Sequence, residues 1–297
     1  MHDGEILITD DLVQGLLADQ FPHWSNLPLR RHQSAGTDHA IYRLGSELVL
    51  RLPRMPWAAG QSENDQRHLP LLADLPLEIP RPIALGQPSR NYPCHWAVHR
   101  WILGEPASTK TVPDLLALAQ DLGGFVAALR GHSVGGVPIA GANSSRRGCD
   151  LRQRDSETRT ALSGIVDLFD EAALLAIWER AVEAPRHAGP PRLIHGDLHW
   201  GNLLARDDRL AAVIDWGCLA AGDPAPDLLP AWWICDAMTR SVFLAAAQAD
   251  PAMIARGRGW ALSIAAIGLA YYRDGRNPVL AAMNRIALSE ILAEHGV

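Results

Sequence analysis

The stretch that decides the reading is LIHGDLHWGNLLARDDRLAAVIDWG, residues 193–217. Two short apolar runs in it each end in acidic chemistry: one gives way to His195-Gly196-Asp197, the other to Asp215-Trp216-Gly217. Asn202 stands five residues past Asp197, just before its own run Leu203-Leu204-Ala205. Short apolar runs broken by polar turns read as strands, which puts these side chains on the loops between them. Phosphoryl transfer asks for one carboxylate to accept or orient the proton of the attacking hydroxyl. It also asks for one or two hard oxygen ligands for Mg²⁺ beyond those of the phosphates. Asp197, Asn202 and Asp215 supply that set. A rival chemistry fits part of the same stretch. On a strand the alternating His195, Asp197 and His199 would share a face and could ligate a transition metal, as in a hydrolase. That leaves Asn202 and the Asp-Trp-Gly unexplained. His195 itself suits hydrogen-bonded support of the loop better than proton transfer.

Outward from this stretch the chain has two characters. Residues 29–33, 40–44, 47–52 and 95–102 are strand-like, and turn clusters at 34–38 and 44–47 make the first three a meander. Leu69, Leu72 and Leu75 have helical spacing, so a helix is expected over 57–75. Prolines at 76, 80, 82, 88 and 93 exclude a long regular element after it. Beyond Gly104 the pattern turns helical. Asp114 can cap a helix running to Leu129, and 155–169 and 171–183 continue the theme. From Asp227 onward the chain is again helical, and Trp232, Trp233, Trp260, Tyr271 and Tyr272 read as core rather than as substrate stackers. The expectation is an α+β protein of two lobes, a sheet-rich one over 1–102 and a larger, mainly helical one over 103–297.

Composition narrows the function classes. With 297 residues, 48% of them hydrophobic and 20% charged, the chain can bury a sizeable core. A formal net charge of −6 advertises neither nucleic acid nor an anionic membrane as partner. No apolar run approaches the length of a membrane span, and the first residues are acidic where a signal peptide would be basic. Cys94, Cys149, Cys218 and Cys235 are far apart, so reduced thiols and a cytoplasmic location are expected. All of the 27 basic residues except Lys110 are arginine, so a role that usually falls to lysine must here fall to Arg.

The His-Gly-Asp with its asparagine at 202, followed by Ile-Asp-Trp-Gly, resembles the catalytic and metal-binding loops of the aminoglycoside phosphotransferase family, relatives of the protein kinases. GDPAPDLLPAWW, residues 222–233, resembles the family too, whose acidic residues there brace the catalytic loop. The resemblance runs from about residue 30 to the end. It implies a bilobal protein-kinase-like fold, with a nucleotide-binding N-terminal lobe and a catalytic, substrate-binding C-terminal lobe. It implies Asp197 as catalytic base, Asn202 and Asp215 as Mg²⁺ ligands, and ATP or GTP as co-substrate. SAGTDHAIYRLG resembles the family's glycine-containing loop, with Ser34, Gly36 and Thr37 near the phosphates. The next strand should present a cation to them, and Arg51 is the candidate because its fork binds phosphate bidentately. Asp65, or alternatively Glu63, would hold Arg51, and the backbones of Arg100 and Ile102 would bind the purine. One departure is Trp200, where proline is common.

The implied activity is transfer of a γ-phosphoryl group to a hydroxyl of a small molecule, an antibiotic of aminoglycoside or other type first, giving resistance. A metabolite alcohol such as a sugar or amino alcohol is the alternative acceptor. A nucleotide-binding pseudokinase-like module without turnover is the non-enzymatic alternative. No nucleic-acid or membrane partner is expected, and a monomer is favoured. Residues 101–297 carry 22 acidic against 18 basic residues, which permits a polycationic acceptor without requiring one.

Overall fold

In the computed structural model, residues 4–32, 38–89 and 91–296 are described. Thr9 opens the first helix: its hydroxyl accepts the Leu12 N–H at 3.2 Å. Helix α1 (Asp10–Gln20) then carries Asp10 and Asp11 in its first turn, where the helix dipole favours acid. It buries Val13, Leu16 and Leu17 in a core shared with Tyr42, Leu44, Leu50, Leu52, Trp96 and Val98 of the sheet.

That sheet is built from β1 (Leu29–His32), β2 (His39–Leu44), β3 (Leu48–Pro53), β4 (Pro82–Gly86) and β5 (Trp96–Arg100), in the order β1-β2-β3-β5-β4. Its neighbours are all antiparallel, and the expected meander of the first three is present. The register aligns two side chains. Arg51 pairs with Ala97 and Val49 with His99, so Arg51 and His99 stand on one face of the sheet. The proline-crowded stretch holds no long regular element, as expected, but it does hold the short strand β4, which the local sequence did not announce. Pro82 begins the strand at the sheet edge and a register shift comes after it, which is where a residue without an N–H is tolerated.

The helix expected over 57–75 is realised in pieces. Gly60, at φ 90°, separates the single turn Pro56–Ala58 from α2 (Gln61–His68), and Pro70 confines the other end to the single turn Leu69–Leu72. α2 packs on β3, β4 and β5 and buries Ser62, Asp65 and His68, a polar face turned inward.

The chain forms two compact units, residues 1–105 with 211–217, and residues 106–210 with 218–297. The short segment 211–217 is tied into the first unit by Glu78, whose N–H donates to the Ala211 carbonyl at 3.0 Å. The Glu78 carbonyl accepts the Val213 N–H at 2.9 Å.

The second unit is mainly helical. After the two-residue strand β6 (Glu105–Pro106), Asp114 caps α3 (Leu115–Gly131) by accepting the Ala117 N–H at 2.9 Å. α4 (Asp155–Ser163) stops at Gly164, short of the expected end, and α5 (Glu171–Glu183) has the expected bounds. β7 (Arg192–Ile194) leads into the loop that carries His195, Gly196 and Asp197. β8 (Leu203–Arg206) and β9 (Arg209–Val213) are joined through Asp207 and Asp208, both at positive φ, as a tight hairpin turn requires. β10 (Ala220–Gly222) pairs antiparallel with β7. Four further helices complete the chain: α6 (Pro230–Trp233), α7 (Ala237–Ala246), α8 (Pro251–Tyr272) and α9 (Pro278–Ala293). Trp232 and Trp260 are fully buried and Trp233 nearly so, as core; Tyr271 is exposed and is not. Among the described residues, no helix is long and apolar enough to cross a membrane. A five-stranded antiparallel sheet in one unit and a mainly helical second unit make the α+β architecture expected from the sequence.

Candidate active site

β7 delivers the chain to His195, and Asp227 holds the loop beyond it. Asp227 sits in the turn Ala225–Leu228, where its two carboxylate oxygens accept the His195 N–H at 2.9 Å and the Gly196 N–H at 2.6 Å. Burial pushes its carboxyl up to about 7, opposed by those two donors. Gly196 turns the chain at φ 80°, and a Cβ there would lie 3.1 Å from the Cys218 Cβ. Glycine meets both demands. His195 is fully buried, and its Nδ1 accepts the Asp197 N–H at 3.2 Å. It supports the loop, as expected. β7 has ended at Ile194, so His195, Asp197 and His199 do not alternate along a strand. Among the described residues no three His, Cys, Asp or Glu side chains group as metal ligands.

Asp197 is gripped at both oxygens. Oδ1 takes a 3.0 Å ion pair from Arg147, while Oδ2 accepts from the Asn202 amide at 3.1 Å and lies 3.5 Å from His199 Nε2. The same Asn202 nitrogen donates to the Asp197 carbonyl at 2.9 Å. Burial alone would raise the Asp197 carboxyl. The charge of Arg147, followed by His199 and His195, outweighs burial and holds it far below the usual carboxylate range. Asp197 is therefore an ionised carboxylate able to orient a hydroxyl. With its nitrogen turned to Asp197, Asn202 offers its carbonyl oxygen, a hard donor suited to Mg²⁺.

In the first unit Arg51 extends from β3, and its Nη2 meets Asp215 Oδ1 at 3.0 Å. Asp215 has φ 62°, a conformation uncommon for a residue with a Cβ. It is steadied on one side by buried Trp216, whose indole N–H donates to the Val213 carbonyl at 3.1 Å. On the other, a Cβ at position 217 would lie 2.8 Å from the Gln61 amide, so glycine lets the loop approach α2. Burial disfavours the charge of Arg51, but Asp215 and then Asp65 hold its pKa above the usual value.

The sequence candidates fall into separate groups. Asp197 and Asn202 share one hydrogen-bonded loop. Arg51 and Asp215 form an ion pair. Asp65 is buried on α2 and acts on Arg51 through its charge, whereas Glu63 pairs with His95 at 2.6 Å. The Arg100 N–H donates to the Arg81 carbonyl at 2.9 Å, and Ile102 lies two residues on with its side chain buried. Ser34, Gly36 and Thr37 lie outside the described residues. Trp200 begins the turn Trp200–Asn202. Sequence reasoning missed Arg147, whose guanidinium also donates to Cys218 Sγ at 2.8 Å, and missed His99 beside Asp65. The Arg-Arg pair at 146–147, inside a polar non-helical segment, was the one available signal for Arg147.

A sequence profile of the phosphotransferase enzyme family matches residues 31–260. The chain belongs to that family and is a small-molecule phosphotransferase. No curated protein matches it significantly. Among solved structures it is similar to the GDP and kanamycin complex of APH(2")-IIia, with 20% identity and a TM-score of 0.74 over 95% of this chain and 98% of that one. It is similar to the streptomycin–ATP ternary complex of APH(2")-IIa, with 18% identity and a TM-score of 0.60 over 97% of each chain. Macrolide 2'-phosphotransferase MphH from Brachybacterium faecium shares 22% identity at a TM-score of 0.60, over 94% of this chain and 98% of that one. At these identities the likeness concerns the fold.

Proposed function

We propose that the protein transfers the γ-phosphoryl group of ATP or GTP, with Mg²⁺, to a hydroxyl of a small molecule, an antibiotic being the first acceptor class. The observation that carries this reading is the doubly anchored Asp197 carboxylate, held by Arg147 and Asn202 in the loop of a phosphotransferase-family chain. In this reading Asp197 receives or orients the hydroxyl proton, and Arg51 engages phosphate oxygens through its fork. Asn202 and Asp215 would hold Mg²⁺, through an amide oxygen and a carboxylate, a donor set suited to a hard cation that also takes phosphate oxygens. Bound there, the ion would neutralise phosphate charge. Asp65 supports Arg51, and the backbones of Arg100 and Ile102 meet the purine. Relatives solved with GDP, ATP and antibiotics support nucleotide as donor and antibiotic as acceptor.

A second acceptor class, an uncharged metabolite alcohol such as a sugar, is favoured by Arg147. Its guanidinium balances the Asp197 charge, so that carboxylate offers little to a polycation.

Nucleotide consumption measured with ATP and with GTP over kanamycin, streptomycin, a macrolide, sugars and amino alcohols tests the proposal. Turnover with at least one acceptor is expected, abolished by chelator and by Asp215→Ala. Activity that survives either treatment would overturn the proposed metal chemistry. Phosphate mapped to a hydroxyl of the hit would identify the acceptor.

A further inference from the structure

His99 occupies a place in the sheet where an apolar side chain is the ordinary choice. Its imidazole is 1% exposed, and neither ring nitrogen has a hydrogen-bond partner among the described residues. Buried polar groups left in that state are rare and costly, so the site that keeps one needs an explanation. Burial pushes the ring down to about 3, with Arg51 and His39 adding to the effect, so His99 is neutral and carries one N–H.

The acceptor at hand is Asp65 on α2, whose Oδ2 lies 3.9 Å from His99 Nε2. That is about 1 Å beyond a hydrogen bond. Asp65 also faces Arg51 electrostatically, and Arg51 stands on the same sheet face as His99. These three residues form a row across α2, β5 and β3, with Asp215 beyond Arg51. Asp215 is the first partner of Arg51 here, yet a carboxylate drawn to a cation would release that guanidinium. Asp65 is then the buried carboxyl on α2 whose charge acts on it. An aspartate is short, and one of its oxygens must be held if the other is to face Arg51.

We infer that His99 is a positioning residue for nucleotide binding, its ring N–H anchoring Asp65 so that Asp65 holds Arg51 toward the phosphates. The inference rests on the phosphotransferase reading and adds to it a residue that touches neither phosphate nor acceptor.

The test is calorimetric binding of Mg·ATP and Mg·GTP to the wild type, His99→Leu, His99→Gln, Asp65→Asn and the double variant His99→Leu/Asp65→Asn. His99→Leu should weaken binding about tenfold, the scale of one lost hydrogen bond to a charged group. His99→Gln, which keeps an N–H donor, should recover most of that loss. Because His99 acts through Asp65, the double variant should bind no more weakly than Asp65→Asn alone. With an acceptor in hand, KM for nucleotide should move more than kcat. Thermal unfolding checks that each variant is folded, and His99→Met carries the same test if His99→Leu is not. Undiminished affinity in folded His99→Leu, or losses that simply add in the double variant, would overturn the role of His99. A wild type that binds neither nucleotide would overturn the phosphotransferase reading itself.

Discussion

Arg147 sets the proton affinity of Asp197, the base of the proposed transfer. A carboxylate held far below its usual 3.8 is a weak proton acceptor, which suits a loose transition state where the hydroxyl loses its proton late. Arg147→Met should lower turnover about tenfold or more, because one oxygen of Asp197 loses a charge-assisted partner. The acid limb of the turnover profile should move to higher pH, since the charge that depresses the carboxyl is gone. Arg147→Lys should recover part of both. A pH series of kcat/KM on the three proteins checks this, and an unshifted acid limb would assign Arg147 to packing alone. At this scale the sequence was legible wherever chemistry follows local spacing. Asp197 and Asn202 fall five residues apart, and their hydrogen bond is a short-range consequence of one turn. Arg147 and His99 were not legible, because their meaning lies in partners about fifty and thirty residues away.

Helix α2 turns a polar face inward, and that has a thermodynamic signature. Burial pushes Asp65 up to about 7 from 3.8, despite the opposing charge of Arg51. Between those values the folded protein binds more protons than the unfolded chain, so this group's contribution to stability is full below about pH 4. It is lost as pH rises through about 7. Asp65→Asn should remove that slope, and the stability of the wild type relative to the variant should fall from pH 5 to 7 and then level. Denaturant titrations at fixed pH values measure it; a difference independent of pH would contradict the burial of an ionisable Asp65. Elements were readable where caps and periods agree, as at Asp114 and α3. They were lost where proline signals compete with tertiary pairing. β4 exists because β5 supplies its ladder, and α2 is short because left-handed Gly60 and Pro70 bound it. The ladder partner of β4 cannot be seen from the local run.

At the scale of the molecule, one chain segment carries Asp197, Asn202 and Asp215, and it passes from the second compact unit into the first at Ala211. A composition shift can suggest one boundary along a chain. It cannot show that 211–217 rejoins an earlier unit, because that depends on the pairing of Glu78 with Ala211 and Val213. The charge distribution is equally tertiary. Acidic residues outnumber basic ones after residue 100, but Asp223 is matched by Arg256, Asp150 by Arg186 and Asp197 by Arg147. A count along the sequence therefore says little about the field an acceptor meets. The central claim is that Asp197 serves the transfer step rather than nucleotide retention. The measurement is nucleotide affinity by calorimetry and acceptor turnover on one Asp197→Asn preparation, which keeps the side chain's shape and removes its charge. Turnover should fall by about 10² to 10⁴-fold, with affinity nearly unchanged because Arg51 and Asp215 are intact. Equal turnover in the variant and the wild type would contradict the claim and move the chemistry to another residue.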